Sequence, residues 1–150
     1  MNTFYNTKRV LSEEDIIQIE TKYHFVMPPK IKKHYLKYNG GYPERCVFKV
    51  HNDDIQYVVD WFYSIGCEEG NTIESILPLL RDDGVFPQWL IPLADEEGGN
   101  LFAYSIRKGE EGAIYYYSHE FDYGENPEDH IILLAPNIDV FLDSLTFEEE

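Results

Sequence analysis

The sequence is poor in cysteine and in long apolar runs, and its basic residues are few. The two cysteines among 150 residues, Cys46 and Cys67, are too few for a disulfide framework and form no CxxC pair. Free thiols of this kind are typical of a reducing compartment. No apolar run approaches the roughly 18–20 residues of a membrane-spanning helix, and the first residues lack the cationic and apolar parts of a signal peptide. We therefore expect a cytoplasmic protein without a membrane segment.

The shortage of basic residues leaves the chain strongly acidic. Twelve Lys and Arg stand against 28 Asp and Glu, for a formal net charge of −16. Residues 1–50 hold 9 basic and 5 acidic side chains (+4), whereas residues 51–150 hold 3 and 23 (−20). Phosphate backbones and anionic lipids repel such a chain, so we expect neither nucleic-acid binding nor membrane-surface binding.

Apolar residues are plentiful, at 43% of the chain, and aromatic residues make up 15%. A disordered chain would be poor in aromatic residues, so this composition predicts a packed core. At this length the core belongs to one domain that spans residues 1–150.

Both ends of the sequence predict helices. Ser12 can cap the first helix, and the acidic residues that follow it complement the helix dipole. A proline pair then opens a second helix over residues 30–38, which ends at Asn39-Gly40-Gly41, where left-handed backbone is accessible. Pro136 opens a helix near the C-terminus.

Between these helices the apolar pattern changes to alternation and to short β-branched or aromatic runs, which predict strands. A short helix near residues 71–77 interrupts the series, and the predicted strands lie at residues 46–50, 55–63, 89–93, 101–106, 113–118 and 131–134. The pattern predicts an α+β fold with a mainly antiparallel twisted sheet, flanked by two N-terminal helices and a C-terminal helix.

Four motifs occur in a distinctive order between residues 11 and 145. They are Leu11-Ser12-Glu13-Glu14-Asp15-Ile16, Tyr38-Asn39-Gly40-Gly41-Tyr42-Pro43, Ile91-Pro92-Leu93-Ala94-Asp95 with the following Gly99-Asn100, and Ile114-Tyr115-Tyr116-Tyr117-Ser118-His119. In this order they resemble the SUKH superfamily, which includes a fungal cell-wall assembly regulator and many bacterial immunity proteins against polymorphic toxins. The resemblance implies an α+β domain with no known catalytic centre that binds and neutralises a cognate toxin. The stretch Glu68–Gln88 fits the family least well and is a candidate local elaboration.

Two polar clusters raise the question of a metal or catalytic centre. Asp95–Glu97 with Asn100 lacks the alternating oxygen ligands of a calcium loop, and a polar hairpin turn accounts for it. No HExxH motif or spaced histidine pair supports the second cluster, which comprises His119, Glu120, Asp122, Asp129 and His130. No serine lies in a GxSxG motif, and no glycine-rich phosphate loop is present. We expect a protein that is not an enzyme and uses no metal or cofactor.

The tyrosine strand suggests a binding face. Alternation places Tyr115 and Tyr117 on one side of the sheet and Tyr116 on the other. Sheet propensity alone could explain these tyrosines, whereas an exposed side would supply interface area. We hypothesise that the acidic turns Asp95–Glu97 and Glu110–Glu111 and the loop Glu120–Asp129 surround that side. The predicted toxin-binding residues are Asp95, Glu96, Glu97, Tyr115, Tyr117, Glu120, Asp122 and Glu125.

A carboxylate-rich face suits a basic partner, and nuclease toxins need Lys and Arg to bind phosphates. The favoured function is therefore an immunity protein, or antitoxin, whose partner is a cognate toxin. A regulatory or scaffold domain is the alternative, and a hydrolase that uses the Asp/Glu/His loop is a weaker one. Trp61 and Trp89 are expected to line the core or a pocket. The sequence does not distinguish a monomer from a homodimer.

Overall fold

The computed structural model describes residues 2–50, 55–68, 70–82, 84, 86–118 and 131–148. The helices within these ranges are α1 (Glu13–Tyr23), α2 (Pro29–Lys37), α3 (Ile73–Asp82) and α4 (Ile138–Ser144). The strands are β1 (Phe4–Tyr5), β2 (Tyr42–Pro43), β3 (Val47–Val50), β4 (Ile55–Phe62), β5 (Leu90–Glu96), β6 (Leu101–Ser105), β7 (Ile114–Tyr117) and β8 (Ile131–Ala135).

Strands β3 to β8 form an antiparallel sheet in which spatial order follows chain order. Short polar turns join β5 to β6 and β6 to β7, whereas the longer segment 63–89, which includes α3, joins β4 to β5. Strands β1 and β2 form a separate antiparallel pair. The predicted α+β fold, with helices flanking an antiparallel sheet, is confirmed.

The predicted start of α1 is confirmed in atomic detail. The Ser12 hydroxyl accepts a hydrogen bond from the Asp15 amide at 3.3 Å, and the Asp15 carboxylate accepts one from the Ser12 amide at 2.8 Å. This reciprocal pair satisfies two backbone donors that a helix start otherwise leaves unpaired. The hydrogen bond from the Ser12 backbone, followed by one from Arg9, lowers the pKa of Asp15 to about 2.

One hydrophobic cluster lies between the helices and one side of the sheet. Its fully buried members include Ile16 of α1, Ile31 of α2, Phe102 of β6 and Phe141 of α4. A second cluster lies on the opposite side, because the alternate residues of β6 and β7 belong to it. Its buried members are Phe86, Leu90, Leu101, Ala103, Ala113, Tyr115 and Tyr117.

The stretch Glu68–Gln88 contributes to both clusters. Ile73 and Leu77 of α3 belong to the first cluster, whereas Phe86 belongs to the second. The chain after α3 therefore covers the side of the sheet that faces away from α1 and α2. Whether this stretch is a local elaboration stays a prediction, but it supplies part of the core.

Strand β5 extends further than the sequence predicts. We expected a turn from Asp95 onwards, but Asp95 and Glu96 are the last two residues of the strand. Their backbones pair with β4 and β6, through the partners Val59 and Leu101. Pairing on both sides extends the strand through two residues whose own strand propensity is low.

Candidate binding surface

The turns of the meander alternate between the two ends of the six-stranded sheet. The β5–β6 turn, residues 97–100, lies at one end, and the β6–β7 turn, residues 106–113, lies at the other. The Asp95–Glu97 and Glu110–Glu111 segments therefore lie far apart. Antiparallel connectivity separates successive turns by the length of a strand, so these two acidic segments do not form one cluster. That they border one binding face stays a prediction.

The end of the sheet that carries the β5–β6 turn is here called the acidic end. Ser118 and Ile131, the described residues on either side of residues 119–130, lie there because Tyr117 pairs with both β6 and Ile131. The β3–β4 connection starts and finishes at the same end. Three connections thus leave the sheet at the acidic end.

Glu96 belongs to a buried hydrogen-bond network at this end. The residue is 7% exposed, and its carboxylate accepts hydrogen bonds from the Tyr116 hydroxyl at 2.9 Å and the Gly98 amide at 2.7 Å. Asn100 donates to the same hydroxyl at 2.8 Å. Burial, and then the hydrogen bond to Glu96, raise the pKa of Tyr116 above its ordinary value. Glu96 therefore links the β5–β6 turn to β7 through hydrogen bonds within the fold.

The neighbouring acids are more accessible. Asp95 is half-buried and accepts a hydrogen bond from the Tyr63 hydroxyl at 3.4 Å, whereas Glu97 is exposed. Glu148 joins them from the C-terminal segment: burial, followed by the charges of Glu148 and Glu97, raises the pKa of Cys46. Sequence patterns do not reveal Glu148, because only the pairing of its segment with β3 brings it here.

Tyr115 and Tyr117 are buried, so the expectation of an exposed tyrosine side is wrong. Their exposed fractions are 7% and 5%. Tyr115 packs edge-on against Trp89 with ring centroids 5.1 Å apart, and Tyr117 packs against Phe86 at 4.9 Å. The physical reason is tertiary: the chain between α3 and β5 covers this side, and strand alternation cannot show which side a loop will cover.

At the opposite end of the sheet, the acidic side chain of Glu110 is paired with groups of the β6–β7 turn and of β7. The Glu110 carboxylate accepts hydrogen bonds from Arg107 Nε at 2.6 Å and from the Tyr115 hydroxyl at 2.8 Å. The Arg107 guanidinium lies over the Trp89 ring, 3.7 Å from its centroid. Because the Glu110 carboxylate is already paired, it is less available to a basic partner than the exposed carboxylates of the acidic end are.

The predicted contacts Glu120, Asp122 and Glu125 lie outside the described residues, as do the candidate catalytic residues His119 and His130. In the part of the chain that the structure describes, no group of three His, Cys, Asp or Glu side chains could hold a metal ion. None of the helices in that part has the length and apolar character that a membrane crossing requires.

A second surface carries exposed aromatic rings. Tyr42 and Trp61, each 41% exposed, line a pocket of about 270 Å³, and Tyr5 lies against Tyr42 with ring centroids 6.0 Å apart. The expected pocket-lining position of Trp61 is therefore observed. Sequence patterns do not reveal Tyr5 and Tyr42, because β1 and β2 have two residues each and leave no periodic signal.

The model of the SMI1/KNR4 family (SUKH-1) matches residues 10–144. The chain belongs to this family. No curated protein matches it. The matched range includes the tyrosine strand, the Asn39-Gly40-Gly41 turn and the stretch Glu68–Gln88.

Membership of SUKH-1 places the chain among domains of known general character. SUKH domains are known to include toxin immunity proteins, and they are generally non-catalytic immunity or regulatory domains. A partner protein, such as a toxin, is the kind of ligand that the family suggests. Among the described residues, the acidic end presents exposed carboxylates and the pocket at Tyr42 and Trp61 presents exposed aromatic rings.

Proposed function

We propose that this SUKH-1 chain is a cytoplasmic immunity protein, one domain over residues 1–150, that binds and neutralises a cognate toxin through its acidic end. The observation that carries the proposal is the meeting of acid-rich connections there. Asp95, Glu97 and Glu148 are described at or beside this end. The described residues that flank positions 51–54 and 119–130 lie at this end, and those two sequence segments hold seven Asp and Glu and no Lys or Arg.

The contact set follows from burial and charge. We propose Asp95, Glu97, Glu120, Asp122 and Glu125 as the acids that meet the toxin. The remaining three predicted residues, Glu96, Tyr115 and Tyr117, are left out of this contact set, because their side chains are buried inside the fold.

A basic toxin of the nuclease type fits this surface. A nuclease binds its substrate through Lys and Arg side chains that contact phosphates, and a row of carboxylates can occupy the same groove. Opposite charge also steers the two proteins together, which raises association rates toward about 10⁸–10⁹ M⁻¹s⁻¹ at low salt. Rapid capture protects a cell in which a few active toxin molecules are harmful.

Co-expression tests the neutralisation. The candidate partner is a toxin-like protein encoded beside this chain, and its expression alone should stop growth. Co-expression of this chain should restore growth, and a pull-down should recover the pair. Failure of both assays for every neighbouring product would exclude the immunity function, whereas binding to a non-toxic host protein would favour a regulatory scaffold.

Association kinetics test the proposed surface. The triple variant Glu120→Ser, Asp122→Ser and Glu125→Ser should lower the on-rate by about tenfold at low salt and flatten its salt dependence. A control triple variant that removes the same charge elsewhere is Glu13→Ser, Glu14→Ser and Glu44→Ser, and its on-rate should stay within about twofold of wild type. Equal on-rates for the two variants would remove residues 119–130 from the docking surface.

A further inference from the structure

Strand β8 is an edge of the six-stranded sheet, and the side of the strand that faces away from β7 is open. The sheet runs in the order β3 to β8, so β8 pairs with β7 alone. Among the described residues, no backbone group outside β7 hydrogen-bonds to residues 131–135. An edge of this kind presents a row of N–H and C=O groups with which a further strand can pair.

The opposite edge of the sheet, strand β3, is protected by its own chain. The Val47 amide donates to the Thr146 carbonyl at 3.0 Å, and the Thr146 amide donates to the Val47 carbonyl at 2.9 Å. Strand β3 also carries Lys49, and a charged residue at an edge discourages pairing with another chain. Strand β8 has neither form of protection, because its five residues are all apolar and uncharged.

Two neighbouring apolar side chains of β8 are exposed. Ile132 is 43% exposed and Leu133 is 58% exposed. Ile132 pairs with Tyr116 and Leu133 with Tyr115, so the two side chains lie on opposite sides of the sheet. The irregularity in the β7–β8 register comes after Leu133, so this part of the strand is regular. A group that covers one side of the sheet would bury one of these side chains, whereas a further strand beside β8 would bury both.

A second copy of the chain supplies a matching strand. Two identical strands pair antiparallel about a twofold axis, and such an interface is self-complementary. Every cross-strand contact within β8 then joins two apolar side chains, so no like charges meet. The strand also lacks carboxylates, so it offers no specific contact to a basic partner.

The acidic character of the chain does not prevent this pairing. Ile131 follows the acidic segment 119–130 in the sequence. In the antiparallel pair, the Ile131 residues of the two copies lie at opposite ends of the paired strands, roughly 14 Å apart. This separation exceeds the Debye length of about 8 Å at physiological salt, so the repulsion between the two ends is largely screened.

We propose that two copies of this chain associate through their β8 strands, which pair antiparallel and join the two sheets into one. Ile132 and Leu133 become buried against the second copy, one on each side of the joined sheet. Because a single strand pair is a small interface, the expected dimer is weak, with a Kd of about 10–100 µM. The proposal does not depend on the immunity function, since it concerns one kind of chain.

Sedimentation equilibrium in about 0.15 M NaCl tests the association. The weight-average mass should rise from 17.6 kDa at low concentration towards twice that value as the chain concentration approaches about 1 mM. A mass that stays at 17.6 kDa up to that concentration would overturn the proposal.

A matched pair of lysine variants locates the interface. Leu133→Lys should weaken the dimer by about tenfold or more, because both copies then carry a charge at the paired edge. Leu133 is largely exposed, so the fold is expected to persist, and the amide spectrum checks this. The control Val10→Lys adds the same charge at a residue that is 83% exposed and lies outside the sheet, and it should leave the Kd within about twofold of wild type. Equal Kd values for the two variants would exclude β8 as the interface.

Amide hydrogen exchange, followed by NMR, distinguishes strand pairing from contact between side chains. Alternate residues of β8 direct their N–H groups away from β7. These amides should exchange about fivefold more slowly at about 1 mM chain than at about 20 µM, because pairing protects them in the dimer. Exchange that is independent of concentration would exclude strand pairing. Protection that arises only when a toxin is added would assign the edge to the toxin and overturn self-association.

Discussion

Asn39 connects three stretches of chain through one buried side chain. Its amide nitrogen donates to the carbonyls of Arg9 and Ile65, both at 3.0 Å, and its carbonyl accepts from the Ile65 amide at 2.8 Å. The residue is 3% exposed, so these bonds replace contacts with water. Asn39 follows the C-cap residue of α2, Tyr38, and holds the segments before α1 and after β4, which a turn motif alone does not indicate.

His34 should make stability depend on pH at the residue scale. Burial lowers its pKa in the folded chain from 6.5 to about 4. Between these values the unfolded chain binds a proton that the folded chain does not, so the free energy of unfolding should fall as the pH drops from 6.5 through 4. The full loss is about 3 kcal/mol, and urea titrations at a series of pH values would measure it.

The matched control is His34→Phe, which keeps a planar ring among Phe4, Tyr38 and Phe62. Carboxylates titrate in both proteins, so the difference between the two stability profiles isolates the histidine. That difference should be flat above pH 6.5 and should change between 6.5 and 4. Parallel profiles throughout this range would show that His34 carries no depressed pKa.

At the scale of elements, a comparison of two glycines distinguishes the cost of backbone strain from the cost of a steric collision. Gly41 and Gly99 both have positive φ, at 83° and 96°. A methyl group on Gly99 would meet no atom within 4 Å, whereas one on Gly41 would collide with the backbone carbonyl of Tyr5. Gly41→Ala should therefore destabilise the protein by about 2 kcal/mol more than Gly99→Ala, measured by urea unfolding. Equal destabilisation by the two substitutions would show that β1 moves away from the new methyl group at no cost in free energy.

The second hydrophobic cluster gives another test at this scale. Phe86 is 3% exposed and packs on Tyr117, whereas Leu79 of α3 is 70% exposed. Phe86→Ala should lower the free energy of unfolding by about 3–5 kcal/mol, because it opens a cavity against the sheet. Leu79→Ala should change it by less than about 0.5 kcal/mol. A small effect of Phe86→Ala would mean that the packing of the segment after α3 on the sheet contributes little to stability.

At the scale of the whole molecule, the net charge of −16 should affect the free energy of unfolding. Like charges repel more strongly in the compact chain than in the expanded one, so repulsion opposes folding, and salt screens it. Raising NaCl from about 0.02 to 0.2 M at pH 7 should increase the free energy of unfolding. Near the isoelectric point of about 4.5 the increase should vanish, and a salt effect of the same size there would rule out net repulsion as its cause.

The predictable parts of this protein are local. Ser12 caps α1 because its hydroxyl lies three residues from an amide that needs a partner, and the cap was visible in the sequence. The strand at residues 101–105 alternates between two apolar sides because both sides are buried, and its position was predicted closely. The two-residue strands β1 and β2 were missed, because their pairing depends on residues about 40 positions apart.

The sequence by itself determined the α+β class, the order of the helices and of strands β3 to β8, the resemblance to the SUKH superfamily and the acidic charge of residues 51–150, because each depends on neighbouring residues or on composition. Only the tertiary structure decided which acids are available. It buried Glu96 beneath Tyr116, covered Tyr115 with Trp89 and brought the charges of Glu148 and Glu97 close enough to Cys46 to raise the pKa of its thiol. Exposure depends on what packs over a residue, and here the covering groups come from chain segments distant in sequence.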